Sequence, residues 1–165
     1  GLPTITKLDM LTLERGLPKK LHEFVNELKQ KYTLELVHLH CKPRFYHEYA
    51  LSQLRSQGYK IGCGSNSVRN SMEIMLEKSD LLKYMDIVVS AEEVSEPKPS
   101  PEMYERIISH FNLHPEECLI IEDNENGIKA ARSSGAHVLI VKAVDEVNIE
   151  NIIQKIEKIN SKGSV

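Results

Sequence analysis

Apolar residues recur along the chain at two spacings, and the two spacings alternate. Short apolar runs predict buried strands, whereas apolar residues about three to four positions apart predict amphipathic helices. The predicted strands are 59–65, 85–90, 118–122 and 137–141. The predicted helices are 17–40 (one long helix or two short ones), 46–58, 67–77, a helix that starts near Ser100, 125–135 and 148–160.

Strands that alternate with helices indicate βαβ units, and hence an α/β fold with a parallel sheet covered by helices on both faces. Ligands of such folds bind at the carboxyl ends of the strands. Here those ends carry polar residues, namely Ser65, residues 90–92, and Glu122 with Asp123. We therefore expect a functional site at this end of the sheet.

Length, composition and net charge limit the kind of protein that this sequence can encode. The 165 residues suit one domain, or one domain with a small appendage, and 41% hydrophobic residues with 27% charged residues allow a packed core. A net charge of −3 gives no reason to expect nucleic acid or an anionic membrane as partner. No apolar stretch approaches the roughly 20 residues that span a bilayer.

The cysteines and the amino terminus bear on localisation. Cys41, Cys63 and Cys118 are odd in number and form no Cys-x-x-Cys pair. "GLPTITKLDM" lacks the charged-then-apolar layout of a signal peptide. We therefore expect reduced thiols and a cytoplasmic protein.

Three segments carry candidate chemistry. In "GCGSNS", Ser65 stands at a strand end before a helix, where backbone N–H groups and the helix dipole attract an anion. Lys98 lies between two prolines in a stiff loop and can present its ammonium to a phosphate. Glu122 and Asp123 follow a strand, and their hard oxygens suit Mg²⁺.

The order and spacing of these segments resemble a known family. "YKIGCGSNS", "VVSAEEVSEPKPSPEMYERI" and "CLIIEDNENGIKAARSSGAHVLIV" are similar to the second, third and fourth motifs of the haloacid dehalogenase superfamily. The nearest branch is that of β-phosphoglucomutase and phosphoglycolate phosphatase-like enzymes, over roughly residues 43–142. The resemblance implies a Rossmann-like core, dependence on Mg²⁺, and phosphoryl transfer from small phosphorylated metabolites of the sugar phosphate type.

The resemblance also implies roles for individual residues. Ser65 and Lys98 would bind the transferring phosphoryl group and are the candidate catalytic residues. Asn66 and Ser67 would lie beside the phosphate or the substrate. Asp123 would ligate Mg²⁺, with Glu122 either as a second ligand or as a hydrogen-bonded support.

The family's first motif is not found in this sequence. That motif is an apolar strand ending in Asp-x-Asp, whose first Asp attacks phosphorus, and no Asp-x-Asp occurs in the 165 residues. The nearest imitation is "KLDMLTL", where Asp9 would be the nucleophile but Leu11 would occupy the acid/base position, and "PTITK" is a poor buried strand. Without the motif, we expect weak Mg²⁺ binding and no phosphatase activity from the chain by itself.

Two further groups of residues have both a functional and a structural interpretation. His38, His40 and Cys41 could form a metal site, although a helix end with exposed imidazoles explains them better. Arg69 and Asn70 follow the predicted phosphate loop and could contact substrate, or they could simply form a solvated helix N-terminus.

The missing motif shapes the expected domain organisation. Residues 1–42 resemble the end of a helical cap, and residues 43–165 the Rossmann-like core. In the family the first-motif strand lies in the middle of the sheet, so its absence would expose two strand edges. We expect a sequence that starts inside the cap, with the first segment lost, supplied by a partner chain or never present. The alternatives to an enzyme are a degenerate binding or assembly module and a mere folding remnant.

Overall fold

The computed structural model describes residues 4–162, and its first part is helical. Helix α1 spans Thr4–Arg15, and helix α2 spans His22–His40 after a short 3₁₀ turn. Of the two forms predicted for residues 17–40, one long helix is observed, and it begins five residues later than predicted, at His22. Helix α1 was not predicted; of its apolar residues only Leu8 is buried, whereas Ile5, Met10, Leu11 and Leu13 are exposed.

The remaining elements follow the predicted alternation of helices and strands. The helices are α3 (Phe45–Ser56), α4 (Arg69–Lys78), α5 (Glu102–His110), α6 (Glu125–Ser133) and α7 (Ile149–Lys162). The strands are β1 (Gly62–Gly64), β2 (Ile87–Val89), β3 (Leu119–Glu122) and β4 (His137–Ile140). All four predicted strands are confirmed, each shorter than its apolar run. Gly58, directly after the C-cap residue Gln57 of α3, has a φ of 86°, the left-handed value that favours glycine.

The strands form two separate parallel pairs. Strand β1 pairs with β2, with Gly62 opposite Ile87, and β3 pairs with β4, with Leu119 opposite His137. Within residues 4–162, no backbone hydrogen bond joins β1 to β3. The sheet is therefore interrupted between β1 and β3.

Helices cover both faces of this layer, as the sequence predicts for an α/β fold. On one face, a cluster around Ala50, Leu54 and Ile152 packs against alternate residues of β3 and against Ile61, which precedes β1. On the other face, Tyr104, Ala130 and Ala131 pack against Ile120 and Val138. Because Ile61 shares a cluster with side chains of β3, the two strand pairs lie in one layer.

Two glycines let helix α5 approach β1 closely. A Cβ at Gly62 would lie 2.6 Å from the Ile107 side chain, and a Cβ at Gly64 would lie 3.0 Å from that of Met103. Met103 is fully buried. The absence of side chains at 62 and 64 thus brings the helix that follows the Lys98 loop down onto the end of β1.

Among the described residues, no helix combines the length and the apolar character that crossing a membrane requires.

Candidate functional site

The structure brings Lys98 and Glu122 into direct contact. Glu122 is the last residue of β3, and Lys98 lies in the loop between β2 and α5. The Lys98 ammonium donates to Glu122 Oε1 at 2.5 Å and to the carbonyl of Gly64, the last residue of β1, at 2.9 Å. The two side chains are only 9% and 11% exposed. Lys98 therefore joins the carboxyl ends of both strand pairs from a buried position.

Glu122 is held in its ionised form by several donors. Burial by itself raises the pKa of this carboxyl, but hydrogen bonds from Lys98 and Tyr104, the positive charge of Lys98 and the Asn124 backbone N–H together bring the pKa below its usual value. A buried carboxylate without such donors would be strongly destabilised. The donors therefore keep a negative charge in place at the end of β3.

Tyr104 is a residue of the site that the sequence interpretation missed. Its hydroxyl donates to Glu122 Oε1, and its ring lies under the Lys98 ammonium, 4.6 Å from ring centroid to nitrogen. Burial raises the pKa of the Tyr104 hydroxyl, and so does its hydrogen bond to Glu122, so the group stays a donor. The feature of the sequence that could have identified Tyr104 is its position on the buried face of α5, together with Met103 and Ile108.

The start of helix α6 is shaped around the Glu122 carboxylate. The Asn124 side chain caps the helix by accepting from the backbone N–H of Asn126 at 3.0 Å. A Cβ at Gly127 would overlap the Glu122 carboxyl group. Glycine at this position thus makes room for the carboxylate against the first turn of the helix, where the helix dipole favours negative charge.

The segment after β1 is tied to the Lys98 loop. Asn66 makes a reciprocal pair with the Lys98 backbone: its side-chain amide donates to the Lys98 carbonyl at 2.9 Å, and its side-chain oxygen accepts from the Lys98 N–H at 2.9 Å. The Ser65 hydroxyl accepts from the Ser67 N–H at 3.2 Å. The predicted phosphate-binding residues are therefore gathered in one place, with the side chain of Asn66 acting as a link between loops.

Asp123 differs from its neighbour, because its side chain is exposed. The oxygens of Glu122 and Asp123 suit a hard cation in kind, but no group of three or more His, Cys, Asp or Glu side chains that could hold a metal occurs among residues 4–162. Oε1 of Glu122 already accepts from Lys98 and Tyr104, whereas Asp123 is exposed. The donor set fits Mg²⁺ only with further ligands from water or phosphate.

Arg69 is occupied by structural contacts. Its guanidinium lies 2.5 Å from the Glu93 carboxylate and donates to the Val88 carbonyl at 3.0 Å, which ties α4 to β2 and the segment after it. Asn70 is exposed. Of the two interpretations offered for Arg69, these contacts favour a structural role over substrate binding.

The other candidates from the sequence lie in the helical N-terminal part. Asp9 is in helix α1, not in a strand, and its carboxylate pairs with His22 at 3.9 Å. The Cys41 Sγ lies 2.9 Å from the Ser79 hydroxyl, and within residues 4–162 Cys41 does not form a metal-binding group with His38 and His40. These residues do not extend the site around Lys98.

Comparison with known proteins shows the family of this chain. The family model described as haloacid dehalogenase-like hydrolase matches residues 6–141. The chain belongs to this family. The resemblance predicted from three sequence motifs is therefore confirmed, and it extends from the core into the N-terminal helices.

Several members of this hydrolase family are similar to the chain. The phosphoglycolate phosphatase of Nitrosococcus oceani is 34% identical over 89 residues, which are 54% of this chain and 40% of that protein. The phosphorylated carbohydrates phosphatase of Thermotoga maritima is 31% identical over 138 residues, 82% of this chain and 62% of that protein. The chain thus spans 40% and 62% of the lengths of these two relatives, less than two thirds of each.

A solved structure confirms the Rossmann-like fold of the family. The β-phosphoglucomutase of Clostridium difficile superposes with a TM-score of 0.78 over 98% of this chain and 80% of that chain, at 21% identity. At this identity the likeness concerns the fold alone. The α/β architecture predicted from the alternating pattern is therefore confirmed.

Proposed function

We propose that this chain is the phosphate-binding part of a phosphatase or phosphomutase that acts on small phosphorylated metabolites of the sugar phosphate type. The observation that carries the proposal is the buried Lys98–Glu122 pair, which joins the carboxyl ends of β1 and β3 directly beside Ser65. Membership of the hydrolase family and the phosphatases among its relatives support the same assignment.

In this proposal the chain's own residues bind and orient a phosphoryl group. Lys98 offers a positive charge whose position is set by Gly64 and Glu122. Ser65 offers a hydroxyl at the end of β1, and Asn66 and Ser67 shape the loop beside it. An ammonium held in this way can stabilise negative charge as it develops on phosphoryl oxygens, without reorganising first.

Mg²⁺ is the proposed cofactor, and Asp123 is its proposed ligand. When bound, the ion would neutralise phosphate charge and help to orient the substrate. Glu122 would act as the hydrogen-bonded support of the site and would keep Lys98 in place. Two adjacent carboxylates, one of them already engaged by Lys98 and Tyr104, predict weak binding of the free ion.

The step that this sequence does not provide for is nucleophilic attack on phosphorus. No Asp-x-Asp is present in the 165 residues, and neither Ser65 nor Lys98 replaces a carboxylate nucleophile in the same geometry. We therefore propose that this chain by itself does not turn over phosphate esters. Residues 1–42 are proposed to belong to a helical cap, and residues 43–165 to the core.

The test is hydrolysis of p-nitrophenyl phosphate with Mg²⁺, for the chain alone and for the chain preceded by an apolar strand segment ending in Asp-x-Asp. We expect turnover only from the extended chain, and only with Mg²⁺. The matched controls are the same extension with Asn in place of its first Asp, and the extended chain carrying Lys98→Ala. An extended chain that is folded but inactive would disprove the enzymatic assignment.

One observation favours a second candidate, a non-catalytic binding or assembly module. Within residues 4–162, no third acidic, histidine or cysteine side chain joins Glu122 and Asp123 to complete a metal site. Titration with Mg²⁺ and inorganic phosphate, followed by NMR, separates such a module from a mere folding remnant. A module that kept anion binding shifts the signals of Ser65 and Lys98, whereas a folding remnant shows no change.

The proposed location is the cytoplasm. Cys41, Cys63 and Cys118 are all free thiols in the structure, which agrees with a reducing compartment.

A further inference from the structure

The outer edge of strand β4, on the side away from β3, carries backbone groups that no other strand pairs with. The N–H groups of His137 and Val141 donate to carbonyls at the two ends of β3, so every second residue of β4 faces that strand. Val138 and Ile140 therefore direct their N–H and C=O groups to the opposite edge. Within residues 4–162, β4 has no second strand beside it, and no described hydrogen bond uses these groups.

A groove runs between this edge and helix α7. Its volume is about 370 Å³, and residues 139–141 of β4 form one side of it. Asn151, Lys155 and Lys158 line the other side, and their spacing places them on one face of α7. A chain that lies in the groove would therefore contact the backbone of β4 and this face of α7 together.

The groove has an excess of positive charge. Lys155 and Lys158 form no ion pair in the part of the chain that the structure describes. Glu146 also lines the groove, but its carboxylate accepts from the backbone N–H of Lys142 at 2.7 Å. Lys142 is exposed and adds a positive charge at the carboxyl end of β4. The groove therefore favours an acidic ligand, although the whole chain has a net charge of −3.

The two faces of the layer determine the side-chain pattern of a strand added at this edge. Leu139 packs against the cluster that contains Ile152 of α7. Val138 packs against the cluster that contains Ala130 of α6, and Ile140, which points to the same side, is 44% exposed. Side chains of an added strand would alternate in the same way. Those on the α7 side would lie near the two lysines, and those on the α6 side would lie beside Ile140.

We propose that the outer edge of β4 binds an extended segment of a partner protein in which acidic and apolar residues alternate. Its backbone would pair with Val138 and Ile140, and its acidic side chains would lie beside Lys155 and Lys158. In strand addition, backbone hydrogen bonds provide affinity and alternate side chains provide specificity. The proposal does not rest on the proposed function, because no residue that lines the groove belongs to the site around Lys98.

A second copy of the chain fits this edge less well than an acidic segment. A closed pair of identical edge strands is antiparallel and related by a two-fold axis. Both α7 helices would then lie on the same face of the joined sheet, so Lys155 and Lys158 of one copy would approach those of the other. Like charges that face each other in an interface weaken binding.

The experiment measures amide hydrogen exchange by NMR on the whole ¹⁵N-labelled chain, with and without the synthetic peptide Val-Glu-Val-Glu-Val with blocked ends. We expect exchange at Val138 and Ile140 to slow at least about tenfold when the peptide is saturating. Amides of Gly62 and Gly64 in β1 should not change. Protection of β1 or β3 in place of β4 would overturn the proposal. The absence of any protection would do the same, because the lysines would then only keep an open strand edge from pairing.

Control peptides test the roles of charge and backbone. Val-Lys-Val-Lys-Val should bind at least about tenfold more weakly at low salt, and the difference should shrink at high salt. Equal binding of the two peptides would refute the acidic partner. Proline in place of the central valine of the first peptide removes a backbone donor and should abolish protection.

A charge-reversed chain gives the matched test on the protein side. Lys155→Glu combined with Lys158→Glu should reverse the preference, so that the lysine peptide protects β4 and the glutamate peptide does not. An unchanged preference would contradict the proposal, and if the variant does not fold, the peptide series on the native chain decides by itself. If the native chain alone shows protection of Val138 and Ile140 that rises with its concentration, the occupant is a second copy and the proposal is wrong.

Discussion

Replacing Lys98 with Met should destabilise the protein most at neutral pH. The substitution keeps the length and apolar stem of the side chain but removes the ammonium that bonds to Glu122 and Gly64. Glu122 would then remain in a position where only 11% of its side chain is exposed. Leaving one member of a buried ion pair without its partner costs about 3–5 kcal/mol, a large part of the roughly 5–15 kcal/mol that stabilises a domain.

The pH dependence of this loss of stability shows whether the unpaired charge of Glu122 causes it. In the native protein the pKa of Glu122 is lowered, so the pair contributes stability above the unfolded-state pKa of glutamate and loses it as pH falls through the lower folded-state value. In Lys98→Met, burial dominates and the pKa of Glu122 rises instead. Protonation then removes the unpaired charge, so the difference between variant and native protein should shrink as pH falls from 7 to 4.

Urea unfolding at several pH values measures this effect. The matched control is Lys83→Met, because Lys83 contacts Asp80 at 2.6 Å with both side chains half exposed, and a surface pair contributes little. The double variant Lys98→Met with Glu122→Gln should recover at least about 1 kcal/mol relative to Lys98→Met, since no charge stays buried. A loss below about 1 kcal/mol that does not vary with pH would refute the reasoning.

Three further predictions concern neighbouring residues. Gly127→Ala should lower stability by about 1–3 kcal/mol despite the better helix propensity of alanine, because the new methyl overlaps Glu122; urea unfolding measures it, and a gain in stability would contradict it. Tyr104→Phe should cost about 1 kcal/mol and raise the pKa of Glu122, which carboxyl NMR titration follows; an unchanged pKa would count against the hydrogen bond. Arg69→Gln should destabilise by about 1 kcal/mol while Asn70→Gln has no effect, and equal unfolding midpoints for the two would rule out the structural role given to Arg69.

The strands were predictable because each is a short apolar run bounded by turn residues, and the residues at their ends could be named for the same reason. The sequence pattern places Ser65, Glu122 and Asp123 at the carboxyl ends of strands. Parallel strands bring such ends to one edge of a layer, so the gathering of these residues followed from topology.

The contacts inside the site could not be read from the sequence. The bond between Lys98 and Glu122 joins residues 24 positions apart and depends on how the loop before α5 folds back. The position of Tyr104 in the sequence is that of an ordinary buried residue of a helix. Helical periodicity predicts which face of the helix is buried, but it does not predict which acceptor the tyrosine hydroxyl bonds to. Helix α1 was missed because its apolar residues do not mark one buried face, since only Leu8 among them is buried.

The reciprocal bonds between Asn66 and the backbone of Lys98 have a mechanical consequence. The Asn66 side chain donates to the carbonyl of Lys98 and accepts from its N–H, so it holds the two peptide groups on either side of the Lys98 Cα. Together with the bonds of the ammonium to Gly64 and Glu122, these contacts hold Lys98 against the segment that carries Ser65, although the two residues are 33 positions apart along the chain. A ligand that touches either group would meet the other at a preset separation, and most of the conformational entropy of arranging them is lost during folding instead of during binding.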